Sequence, residues 1–96
     1  MSSLTSEQTA LQLDGLPAWQ QDGSSLVRTY EFNDFASVVA FLVKASFYAQ
    51  ELEHYPEWQN HYTTVNVRIG KIERGAVRHR DVQLAKRLEA AFESQN

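Results

Sequence analysis

The stretch from Asn33 to Glu53 constrains the fold most. Asn33 can accept hydrogen bonds from the free N–H groups of a helix start. Pro56 closes the helical possibility, because the residue before a proline is pushed out of the α region. Between them, Phe35, Val38, Val39, Leu42, Ala45, Ala49 and Leu52 recur at helical spacing and read as the core-facing stripe. Phe41, Val43, Phe47 and Tyr48 lie outside its narrowest version, so this helix is apolar on more than one side. In a chain of 96 residues, too short to build a second core, the extra apolar face is expected to meet a partner subunit. A wide stripe laid over a broad sheet is the alternative.

The rest of the chain, read as a single domain over residues 1–96, surrounds that helix with short elements. Leu4 to Leu13 reads as a short helix, with Thr5 as N-cap and Gly15 and Pro17 as its stop. Trp19 to Gln21 reads as a short strand, Gly23-Ser24-Ser25 as a turn, and Leu26 to Phe32 as a β-branched and aromatic strand. Tyr62 to Ile69 alternates: Thr63, Val65, Val67 and Ile69 on one face, Tyr62, Thr64, Asn66 and Arg68 on the other. Gly70 to Val77 is a connection, and from about Arg78 a last helix carries Leu84, Ala85, Leu88, Ala91 and Phe92. The order helix, hairpin, long helix, hairpin, helix predicts an α+β fold with an antiparallel sheet and its helices on one face.

Composition removes several function classes. With no cysteine in the chain, disulfides, thiolate metal sites and a catalytic thiol are excluded, and a cytoplasmic setting fits. Met1 to Leu13 shows no basic region followed by an apolar run, and no apolar stretch is expected to span a bilayer. The net charge is −3, and the basic residues are spread from Arg28 to Arg87. Direct nucleic-acid binding needs them clustered. The small group Arg74, Arg78 and Arg80 reads as a solvated turn. His54, His61 and His79 lack the spacing of a helical metal pair, so no metal site is expected. Neither a phosphate-cradling glycine loop nor a nucleophile elbow is present.

Chemistry concentrates in Glu53-His54-Tyr55-Pro56-Glu57-Trp58. The break at Pro56 places His54 and Tyr55 at a helix end, where side chains can enter a cleft. Histidine is the side chain best suited to proton transfer near neutral pH. On spacing alone His54 keeps two readings, an acid–base group or a complement to the helix dipole.

These residues resemble the signature of the pterin-4a-carbinolamine dehydratase family. That signature is a charged residue, three residues, His, then His or Asn, then usually Pro. An aromatic follows after five more residues, a His or Trp after nine more, and an Asp about eight beyond. His54, Pro56, Tyr62 and Asp81 stand at those intervals. Trp19, Tyr30-Glu31-Phe32, Pro56-Glu57-Trp58 and Arg80-Asp81 extend the resemblance from about Leu11 to Phe92. It implies a four-stranded antiparallel sheet with helices on one face, assembled as a homodimer or homotetramer through the 34–53 helix or a sheet edge. It also implies dehydration of 4a-hydroxytetrahydrobiopterin to the quinonoid dihydropterin by general acid–base catalysis, with no metal or bound cofactor. His54 would then be the catalytic acid–base group and Tyr55 a hydrogen-bond donor to the pterin. Arg80 and Asp81 would form a polar wall, with Pro56, Trp58 and Tyr62 completing the substrate site.

Three positions depart from the pattern. Gln50 stands in place of the leading charged residue, Tyr55 in place of the second histidine, and Ile72 in place of the later His or Trp. Isoleucine cannot move a proton, and a tyrosine hydroxyl is a poor base at neutral pH. The alternative expectation is therefore a non-catalytic relative that binds another protein. Family precedents are a transcription-factor dimerisation cofactor and a Rubisco assembly factor of α-carboxysomes. A pterin-binding module without turnover is a third.

Overall fold

The computed structural model describes residues 3–70 and 75–95. Three helices and four strands follow in the order α1 (Ser6–Asp14), β1 (Gln20–Asp22), β2 (Ser25–Glu31), α2 (Phe35–Leu52), β3 (Glu57–His61), β4 (Thr64–Ile69) and α3 (His79–Glu93). The strands form one antiparallel sheet in the order β1-β2-β4-β3. β2 and β4 pair at the centre, Leu26 opposite Ile69, Arg28 opposite Val67 and Tyr30 opposite Val65. That register puts Leu26, Tyr30, Val65, Val67 and Ile69 on one face, all buried. α3 packs against α2, β2 and β4. The α+β fold expected from the element order is the fold observed.

The elements begin and end for local reasons. Thr5 caps α1 in a capping box: its hydroxyl accepts from Gln8 N–H at 3.1 Å, and the Gln8 side chain accepts from Thr5 N–H at 2.9 Å. The first strand starts one residue later than the sequence suggests. Trp19 N–H closes a turn onto Leu16 C=O at 3.0 Å instead of joining the ladder. Gly23, with φ of 62°, opens a two-residue hairpin turn that needs a positive φ.

The long helix differs from expectation in cap and in phase. Asp34, not Asn33, is its N-cap, with Oδ1 accepting from Ser37 N–H at 2.8 Å. Its buried face is Val38, Phe41, Ala45 and Ala49, with Leu42, Tyr48 and Leu52 packed at the margin. Phe35 and Val39, read as core-facing, are 48% and 44% exposed, whereas Phe41 is wholly buried. A helix apolar on several sides gives periodicity no sharp phase. The rotation is set by packing on the sheet and on α3 at once. Phe35, Val39, Val43 and Phe47, four apart, form an exposed apolar stripe.

At 18 residues and a mean hydropathy of 1.2, α2 also meets the length and composition of a membrane span. This corrects the expectation that no apolar stretch is long enough. Four of its residues lie in the core, the position of a helix that holds a fold together.

The core is aromatic at one end. Tyr30 packs against Trp19, Phe32, Phe41 and Phe92 with ring centroids 4.7 to 6.3 Å apart. Leu26, Val38, Leu84, Ala85 and Leu88 fill the rest.

Candidate functional site

α2 ends at Leu52, one residue short of the expected end at about Glu53 and four positions before Pro56. Glu53 is left-handed, at φ 51° and ψ 44°. Its N–H reaches Gln50 C=O at 3.1 Å, while His54 N–H reaches back to Ala49 C=O at 3.0 Å. This is the Schellman arrangement, built here on a glutamate where glycine is usual. It turns the chain sharply, so His54 leaves the helix axis and points at the N-terminus of α3.

What His54 meets there is Asp81, in the first turn of α3. His54 Nε2 lies 2.5 Å from Asp81 Oδ1, with the imidazole side chain 15% exposed and the carboxylate 0%. Asp81 Oδ2 accepts from the N-cap Arg78 N–H at 2.8 Å. That contact and the positive end of the helix dipole both favour a carboxylate at this position. The start of α3 is itself pinned by Leu4 N–H to Val77 C=O at 2.8 Å and by a β-bridge between Ser3 and Arg78. Of the two readings open for His54, the ring is bonded to a buried acid rather than to the last carbonyls of α2.

The other expected site residues are spread over the α2–β3 connection, β3, the β3–β4 tip and the first turn of α3. Tyr55 is 67% exposed beside it in the chain, and Pro56 is half-buried. Trp58 stands on β3 opposite Val67 and packs on the core. Tyr62 is 70% exposed at the tip of the β3–β4 hairpin with φ of 52°. Asn60 Nδ2 holds that tip by donating to Tyr62 C=O and Thr64 C=O, each at 3.1 Å. Arg80 is exposed on the first turn of α3. Ile72 and Arg74 lie outside the described residues. Among the described residues no cluster of three or more His, Cys, Asp or Glu side chains could hold a metal ion.

Two further features stand apart from this pair. The face of the sheet away from α2 and α3 carries a groove of about 730 Å³, lined in part by Gln20, Thr29, Glu57, Gln59, Asn66 and Arg68. It includes neither His54 nor Asp81, and its polar side chains are those of an antiparallel sheet face in contact with water. On the core side, Glu89 gathers four donors. Its Oε1 accepts from Trp19 Nε1 at 3.0 Å, Arg28 Nε at 3.2 Å and Tyr30 Oη at 3.1 Å, and its Oε2 from Arg28 at 3.2 Å. The Arg28 guanidinium also lies 4.1 Å from the Tyr30 ring centroid. Burial and the Glu89 charge push the Tyr30 hydroxyl well above its ordinary range. Burial would raise Glu89, but its bond and charge contact with Arg28, aided by Tyr30 and Trp19, hold it below its ordinary value. The sequence held a signal for this cluster: Arg28 shares the parity of Leu26 and Tyr30, and a charge on a core-facing parity needs a partner.

Comparison with known proteins is consistent along the chain. The sequence model of the pterin 4 alpha carbinolamine dehydratase family matches residues 2–91. A protein of Rhizorhabdus wittichii, provisionally named a pterin-4-alpha-carbinolamine dehydratase, is 36% identical over 92 residues, covering 94% of this chain and 95% of the relative. One of Opitutus terrae with the same provisional name is 40% identical over 78 residues, 80% of each chain. Among solved structures, that of a transcriptional coactivator/pterin dehydratase from Brucella melitensis superposes with a TM-score of 0.85 at 31% identity. The match covers 95% of this chain and 99% of that one.

Proposed function

Because the chain belongs to the pterin 4 alpha carbinolamine dehydratase family, we propose that it dehydrates a 4a-hydroxytetrahydropterin, with His54 as the acid–base group. The observation that carries this reading is the His54–Asp81 pair: a partly exposed imidazole held at 2.5 Å by a fully buried acid. In the reaction the bond from C4a to its hydroxyl oxygen breaks, and that oxygen leaves as water after gaining a proton. A pterin ring nitrogen gives up a proton, so the net change is loss of one water. Both transfers suit an imidazole near neutral pH. Tyr55, exposed beside His54, supplies a hydroxyl donor, and Arg80 a charge at the rim. Purified protein is expected to accelerate decay of the 4a-hydroxypterin, and His54→Ala to lower that acceleration by about 100- to 10,000-fold, the usual worth of a positioned acid–base group. A wild-type rate equal to the spontaneous one refutes the reading.

A second reading is supported by the exposed stripe of α2. Phe35, Val39, Val43 and Phe47 leave 44 to 68% of their surface open, in a line that suits helix-against-helix packing. Through it the chain would assemble with further copies of itself or hold a protein partner, as a coactivator-type relative would. The two readings are compatible, since the stripe and the His54–Asp81 pair use different residues.

A further inference from the structure

We propose that Asp81 is a positioning residue that decides which nitrogen of His54 works: Nε2 is committed to Asp81, and Nδ1 exchanges protons with the substrate, a role that rests on the dehydratase reading above. A carboxylate has no proton to give, so it can only accept. Its place in the first turn of α3 and the Arg78 N–H on its Oδ2 at 2.8 Å favour Asp81 as a carboxylate. Nε2, 2.5 Å from Oδ1, therefore carries the hydrogen. In a neutral imidazole the lone pair then falls on Nδ1. Among the described residues nothing bonds to Nδ1.

Replacing Asp81 by asparagine makes the assignment sharp. Asparagine offers one acceptor and one donor group where aspartate offers two acceptors. The Arg78 N–H cannot change its role, whereas an imidazole can exchange tautomers. With the amide oxygen on Arg78 and the amide NH2 facing Nε2, both bonds survive if Nε2 becomes the acceptor. The opposite orientation sets two donors face to face at Arg78. Asp81→Asn is thus expected to move the His54 hydrogen to Nδ1, leaving a working nitrogen that cannot accept a proton.

The test is long-range 1H–15N NMR of uniformly labelled protein at a pH where the ring is neutral. His54→Gln serves only to identify the His54 signals among those of the three histidines. The wild type is expected in the Nε2–H form and Asp81→Asn in the Nδ1–H form, with kcat lowered at least about 100-fold and KM nearly unchanged, since the Asp81 side chain is fully buried. A wild-type spectrum showing Nδ1–H overturns the proposal without any variant having to fold. An unchanged tautomer in folded Asp81→Asn overturns it as well. A wild type with the expected tautomer but no rate above the spontaneous one refutes the dehydratase reading, and with it the role of Nδ1. The two failures are therefore told apart.

Discussion

Replacing Glu89 by alanine removes the one acceptor shared by Trp19, Arg28 and Tyr30. Each neutral donor is worth about 1 kcal/mol, and the bonds from Arg28 about 1.5–3 kcal/mol together. Arg28 and Glu89 keep 13% and 20% of their side-chain surface open, so water recovers part of the loss at Arg28. The Tyr30 hydroxyl and Trp19 N–H have no such relief, because both residues are buried. A net cost of about 3 kcal/mol follows, a large fraction of the roughly 5–15 kcal/mol that holds a domain folded. For a chain of 96 residues each kcal/mol lowers the melting temperature by about 4–8 °C. Thermal unfolding followed by circular dichroism should therefore show a drop of about 12–24 °C for Glu89→Ala. Glu89→Gln, which keeps a carbonyl for the neutral donors and loses the charge, should fall by less than half as much. A drop under about 4 °C for Glu89→Ala would falsify the view that these donors depend on Glu89.

The same cluster sets an acid limit. The Glu89 carboxyl is held below its ordinary value of 4.5, so its contribution is complete above that pH and is lost as pH falls through the folded value. The urea midpoint of the wild type should decline over that range, and Glu89→Gln should decline less steeply. Glu53→Gly relieves a left-handed residue at the end of α2 and is expected to stabilise by about 1 kcal/mol, visible as a raised urea midpoint; a lowered one refutes the cap assignment. Leu88→Ala empties a fully buried position and should cost about 2–5 kcal/mol in the same titration. On the second reading the wild type has an oligomer's mass by light scattering, and Val43→Asp combined with Phe47→Asp should lower it; a monomeric wild type or an unchanged mass refutes the α2 stripe as a self-interface.

Much of the frame was legible in the amino-acid order because it rests on local rules. Thr5 caps α1 because a hydroxyl there reaches an N–H three residues on. Val65, Val67 and Ile69 share a face because a strand repeats every two residues. The interval from His54 to Asp81, matched to Tyr62 and Pro56, pointed to the family later found along residues 2–91. What sequence spacing could not settle was rotation and contact. Phe41 went inward and Phe35 outward because α2 packs on two surfaces at once, and a helix apolar all round carries no phase of its own. The helix stopped at Leu52, close to its expected end, but the left-handed turn at Glu53 was one that no glycine announced. Only that turn aims His54 at the first turn of α3. A histidine and an aspartate 27 positions apart become a hydrogen-bonded pair through the packing of two helix ends, a distance that no local rule encodes.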